Sequence, residues 1–280
     1  MEKIAILTDS AADLTQDVID RYNIKVAPFR IIYKDAEYFD NVTIKPEEVY
    51  ANLVNEIPTT SLPSVEYIEN LITEIENEGY THLIVLDISS NLSGTLNSMR
   101  LILDNHPSLT SFVYDTKTLT MGQGALVIET AKMIESGKSF NDIAVALPLL
   151  RKKINVYFTL DTLEYLKKGG RIGKVAGTIG EVLKLKPIIK VSEEGIYETY
   201  AKARGRKQSI KKLHEILDKH LSEGKCNVWI IDGHAKEDGD ALYNSIKDLP
   251  MINYIGRQIL TPSLGVHTGP GLVGFVIQEV

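Results

Sequence analysis

The chain has 280 residues, 44% hydrophobic and 24% charged, the profile expected of a soluble globular fold long enough for two ordinary domains. Its 31 Lys and Arg against 37 Asp and Glu give a formal charge of -6, with no basic excess for a nucleic-acid backbone, and Cys226 as the sole cysteine excludes an intramolecular disulfide or a cysteine zinc site. No apolar run approaches the roughly 18 residues of a membrane span, and Met1, Glu2 and Lys3 lead straight into an apolar run too short for a signal peptide, so a reducing cytoplasm is the expected location.

Ile4 to Leu7 predicts a first strand, followed by helical spacing at Leu14, Val18, Ile19 and Tyr22. Pro46 opens a helix carrying Val49, Tyr50, Leu53 and Ile57, and Ser64 can cap another carrying Ile68, Leu71, Ile72 and Ile75. Leu83 to Ile88 reads as a buried strand, followed by a helix with Leu96, Met99 and Leu103. Phe112 to Tyr114 gives a further strand, and Met121 to Ile134 and Ser139 to Leu150 read as helices. Strand and helix alternate, which predicts a parallel sheet in an N-terminal α/β domain over residues 1–153. From Val156 onward the pattern changes to short β-branched runs: Val156 to Leu160, Ile188 to Val191, Ile196 to Tyr200, Val228 to Ile231, Ile252 to Ile259 and Val273 to Ile277. A hairpin turning at Glu193 to Gly195 and a helix over Ser209 to Leu221 predict a mixed or antiparallel sheet with helices in a C-terminal domain, residues 154–280.

Four polar or glycine-rich segments interrupt this pattern. Pro58 to Ser64 places hydroxyls between two stiffening prolines; Ser64 suits a helix cap, whereas Thr60 and Ser61 exceed what one cap requires. Ser89 to Thr95 follows a buried strand and opens a helix, the place where α/β folds hold anionic head groups. Ser93 there can cap the helix or donate to a carboxylate, but Asn91 and Thr95 stand where a nucleophile elbow requires glycine. Lys167 to Lys174 forms a basic loop that lacks the P-loop spacing, in which Gly169 and Gly170 end a helix and Arg171 can meet an anion or an acidic partner. His267 precedes Gly269, Pro270 and Gly271 and reads as set in a glycine-rich turn; no helix can follow Gly269, Gly271 and Gly274, so a dinucleotide fingerprint fails. Asp9, Asp87, Asp115 and Asp161 close strands and read as loop-fixing acceptors in preference to metal ligands, and the remaining histidines show no metal-ligand spacing.

Taken together, Thr-Thr-Ser-Leu-Pro-Ser at 59 to 64, Ser-Ser-Asn-Leu-Ser-Gly-Thr at 89 to 95, Gly-Gly-Arg-Ile at 169 to 172 and His-Thr-Gly-Pro-Gly at 267 to 271, with the Thr-Asp-Ser opening, resemble the DegV family of bacterial fatty-acid-binding proteins. The resemblance implies a two-domain α/β fold with a long-chain fatty acid buried near the domain interface. Thr60 and Ser93 match the carboxylate-binding hydroxyls, Ser61, Gly94, Thr95 and His267 the supporting head-group site, and Arg171 a head-group or partner contact. The family usually carries glutamine where this chain has Leu62. The resemblance further implies a non-enzymatic carrier without cofactor or metal that presents its fatty acid to a fatty acid kinase; the charge balance argues against a nucleic-acid partner, and without a membrane span only transient membrane contact is expected. The alternative is an acyl- or phosphoryl-transfer enzyme using Ser93 or His267.

Overall fold

The N-terminal apolar run forms β1 (Ile4–Asp9), followed by a 3-10 turn at Ser10–Ala12, α1 (Gln16–Tyr22) and β2 (Lys25–Ala27) in a computed structural model that describes residues 2–178 and 185–280. Two short strands, β3 (Arg30–Ile32) and β4 (Glu37–Phe39), precede α2 (Pro46–Asn52), β5 (Thr59–Ser61), α3 (Val65–Asn77), β6 (His82–Asp87), α4 (Thr95–Leu103), β7 (Thr110–Asp115), α5 (Met121–Glu135) and α6 (Phe140–Lys152). The second half contains β8 (Ile154–Thr159), α7 (Glu164–Lys168), a 3-10 turn at Gly173–Thr178, β9 (Ile188–Val191), β10 (Tyr197–Ala201), α8 (Arg206–Glu223), β11 (Cys226–Gly233), α9 (Lys236–Ile246), β12 (Ile252–Ile259), α10 (Pro262–Thr268) and β13 (Leu272–Glu279).

The expected pair of sheets is present. One is four-stranded and wholly parallel, in the order β2-β1-β6-β7. The other is six-stranded and mixed, in the order β10-β9-β8-β13-β11-β12, with β11 and β12 its one parallel pair. Alternation of side chains decides the layering. Ala5, Leu7, Leu83 and Val85 face α3 and α4, where Ile68, Ile72, Ile75 and Met99 complete one apolar cluster. Ile6, Ile84 and Leu86 face the other way, joining Leu126, Ile143 and Leu147 of α5 and α6 and then Val156, Phe158, Trp229 and Val276 of the six-stranded sheet. Tyr157, Val228, Ile230 and Phe275 point out of that sheet's far face onto α8 and α9. The resulting order is helix, parallel sheet, helix, mixed sheet, helix, with α5 and α6 serving both sheets. This explains why α5 is buried nearly all round from Met121 to Ala131.

Three features differ from the sequence reading. Thr59 to Ser61 is not a loop: it is β5, paired antiparallel to β3 in a small sheet of order β4-β3-β5. His267 lies in the last turn of the helix α10, not in a glycine-rich turn, and Gly269 ends that helix at φ 68°. Ser93 is not the cap of α4, whose N-cap is Gly94. Ser64 does cap α3, accepting from the Tyr67 amide at 3.1 Å, and Cys226 is buried in β11. Among the described residues no helix is long and apolar enough to cross a membrane.

Polar groups gather where the parallel strands end. Asp9 accepts from the amides of Ala11 and Ile88 and from the Gln123 side chain, a loop-fixing role. Burial pushes Asp9 and Asp40 up to about 6 and Asp13 up to about 7, against a shared ordinary value of 3.8, while their hydrogen bonds pull the other way. Asp87 is raised well above that value by burial and by the neighbouring Asp9. The folded protein therefore binds more of these protons than the unfolded chain from about pH 4 to pH 7, so their contribution is fully present below about pH 4 and is lost progressively as pH rises to about 6 for Asp9 and Asp40 and about 7 for Asp13. Thermal denaturation across pH 5 to 8 is expected to show Tm falling with pH, with a shallower fall in Asp13→Asn; a slope unchanged by that substitution contradicts the assignment.

Candidate functional site

Thr60 stands opposite Ile31 across the β5–β3 pair, on the sheet face that packs against Val49, Tyr50 and Val266. Its hydroxyl meets His267 Nε2 at 2.7 Å, joining β5 to α10 across 207 residues of sequence. Burial, and then the nearby Arg171 charge, push the His267 imidazole down to about 4, so it is neutral at physiological pH. Its Nδ1 is buried with no hydrogen-bond partner among the described residues. A buried N–H without an acceptor is the costlier orphan, which favours the tautomer with the proton on Nε2, donating to Thr60. Gly169 makes this placement possible: a Cβ there would lie 2.1 Å from His267 Nδ1.

Arg171 is half-buried and tied to two backbone carbonyls, Nε donating to Leu92 at 3.2 Å and Nη1 to Gly169 at 2.6 Å. It thereby bridges the loop before α4 to the end of α7. No carboxylate pairs with it among the described residues, so a positive charge remains uncompensated beside His267. Ser93 Oγ lies 2.8 Å from Thr95 Oγ1 and accepts weakly from the Thr95 amide at 3.3 Å. Thr95 is fully buried and braces Ser93 from behind.

Thr60, Ser93, Arg171 and His267 converge on one cavity. Its remaining walls are Ala11, Phe29, Ile88, Leu92, Leu119, Tyr197, Ser263 and Leu264, drawn from both halves of the chain, and its free space is only about 40 Å³. A second, open groove of about 810 Å³ lies on the other side of the same gate, since Thr60, Arg171 and His267 also line it together with Leu53, Asn55, Pro58 and Lys168. These three side chains therefore form the neck between a narrow apolar interior and the surface.

The other candidates fall elsewhere. The Ser61 hydroxyl accepts from Arg30 at 2.8 Å on the opposite face of β5 and lines neither space. Gly94 is exposed beneath Leu62, whose Cδ1 would lie 3.7 Å from a Cβ added there. Thr95 acts on the cavity only through Ser93. A serine relay is not assembled among the described residues, where His267 bonds Thr60 instead of Ser93 and no carboxylate meets Nδ1. Ser263, Tyr197 and Phe29 were missed by sequence reasoning, for single wall residues carry no local signal. His220, Glu223 and Glu279 form a group of possible metal donors that linear spacing did not reveal, because β13 supplies the third member. Both His220 ring nitrogens already face partners, Glu279 at 3.1 Å and the Tyr157 hydroxyl at 3.4 Å.

Residues 3–280 match the family described as "Uncharacterised protein, DegV family". A DegV domain-containing protein from Clostridium acetobutylicum is 52% identical over 277 residues, covering 99% of each chain. Among solved structures, a DegV family protein from Thermus thermophilus described for its fatty acid binding superposes with a TM-score of 0.93 at 30% identity, over 99% of this chain and 100% of that one. A fatty acid binding DegV family protein from Streptococcus agalactiae gives 0.91 at 28% identity, over 100% of both.

Gly169→Ala is expected to push the imidazole off Thr60 and to cost about 1–3 kcal/mol through overpacking. Histidine NMR of the variant should show the His267 titration moving up from about 4; an unmoved titration would contradict the close approach.

Proposed function

The chain belongs to the DegV family, and from that membership and the geometry of the neck we propose that it binds one long-chain fatty acid, with the acyl chain inside and the carboxylate at Thr60 and Ser93. The observation that carries this reading is the convergence of two hydroxyls, a neutral imidazole and a cation without a carboxylate partner among the described residues on an apolar cavity walled by both halves of the chain. With the proton on Nε2, His267 donates to Thr60 Oγ, which leaves the threonine hydrogen free to donate to a carboxylate. Ser93 supplies a second neutral donor. Arg171 adds charge, but its Nε and Nη1 are spent on backbone carbonyls, so it does not offer a full guanidinium fork.

Affinity then comes chiefly from the chain, at about 0.8 kcal/mol for each buried CH2. Since the interior holds only about 40 Å³ of free space, the side chains of Phe29, Leu92, Leu119 and Leu264 must separate to admit it. The arrangement supports a carrier in which Ser93 and His267 hold the head group and do no chemistry. A carboxyl at the neck faces the open groove beside Lys168 and Arg171, which supports presentation to a fatty acid kinase.

Mass spectrometry of the purified protein, native and after organic extraction, is expected to find about one long-chain acid per chain; an empty protein that also refuses added oleate and palmitate overturns the reading. Thr60→Val with Ser93→Ala is expected to abolish lipid retention with the fold intact by circular dichroism, and undiminished occupancy in that variant would sink the head-group assignment.

A further inference from the structure

We propose that Asp13 and Asp40, two buried carboxyl groups of the N-terminal half, are positioning residues that hold His267 against Thr60; their effect on lipid affinity rests on the fatty-acid reading above. Helix α10 has seven residues, too few to hold its own direction, and Pro262 at its first position has no amide hydrogen. Its Thr261 N-cap makes no side-chain capping bond. The amides that open it donate instead to the other half of the molecule: Thr261 N to Asp13 Oδ1 at 2.9 Å and Ser263 N to Asp40 Oδ1 at 3.2 Å.

Each carboxyl is anchored in turn. Asp13, at φ 52° after the turn that follows β1, also accepts the Thr120 hydroxyl at the start of α5. Asp40 accepts the Ser10 hydroxyl at 2.6 Å, and Ser10 Oγ takes the Phe29 amide at 3.0 Å. The start of α10 is thus bolted to two segments of the N-terminal half, at Asp13 and at Asp40, and His267 lies one helical turn further on. At its other end α10 closes on itself, with the Gly269 amide on Gly265 O at 2.8 Å and the Thr268 hydroxyl on Leu264 O at 3.0 Å. Thr60 belongs to the N-terminal half and His267 to the C-terminal half, so the two carboxyls set the register in which the hydroxyl and the imidazole meet.

A double-mutant cycle separates this role from general support of the fold. Asp13→Ala and Asp40→Ala are expected to raise the oleate Kd about tenfold, the order of one lost cap, and to change it twofold or less in a His267→Ala background. Asp13→Asn and Asp40→Asn, which keep an acceptor oxygen and the side-chain shape, are expected to restore most of the affinity. NMR of labelled histidine in the lipid-free protein gives a readout independent of any ligand: in the alanine variants the His267 midpoint should move up from about 4 toward 6.5. Equal weakening in both backgrounds, or a His267 titration unchanged in the variants, overturns the proposal. Where the wild-type protein binds no fatty acid, the lipid reading fails and the NMR result alone decides the role of the two carboxyls.

Discussion

A helix whose first half is buried nearly all round constrains the rest of this molecule. Because α5 lies between the parallel and the mixed sheet, the side-chain donors of Thr120 and Gln123 at its start cannot turn to water and find acceptors inside. Thr120 finds Asp13, and Gln123 finds Thr8, Asp9 and the Leu86 carbonyl. These partners sit at the carboxyl ends of β1 and β6, two adjacent strands whose chains leave in opposite directions, toward β2 and toward β7. Ligand crevices in α/β sheets open at such switch points. The cavity follows the rule: Ala11 comes from just after β1, Ile88 from just after β6 and Leu119 from just before α5.

The mouth of the cavity is assembled from short elements that do not share a sheet. Thr60 comes from a three-residue strand, Ser93 from the turn into α4, Arg171 from the end of α7 and His267 from α10. They are held largely by hydrogen bonds to backbone or to neutral groups. Burial keeps the imidazole neutral, and Arg171 has no carboxylate partner among the described residues, its Nε and Nη1 donating to backbone carbonyls instead. The open groove beyond the neck is lined by the same three residues, so whatever meets a ligand's exposed end meets Thr60, Arg171 and His267 as well.

Much of the fold was legible because its signals are local and repeated. The alternation of apolar strands with helical spacing up to Leu150, and the shift to β-branched runs after Val156, report which faces are buried and so separate a parallel sheet from a mixed one. The small sheet has no sequence signature because β3, β4 and β5 have three residues each, too few for a period, and the two prolines near β5 mark a loop where pairing to Ile31 makes a strand. Helix α10 carried signals that were available, Pro262 at its start and Gly269 past its end, but the glycines around His267 outweighed them.

The sequence by itself determined the two-sheet α/β plan, the membership of Thr60, Ser93, Arg171 and His267 in distinctive segments, and the exclusion of an intramolecular disulfide or cysteine zinc site, since each depends on residue type or near-neighbour spacing. Only tertiary structure decided that Thr60 and His267 touch across 207 residues, that Ser61 turns to Arg30, that Gly169 must lack a side chain because His267 lies over it, and that Asp13 and Asp40 hold α10. The physical reason is the same in each case. A hydrogen bond or a close approach between distant segments is set by how sheets and helices stack, and a residue that accepts from a remote amide leaves no periodic trace in its own neighbourhood.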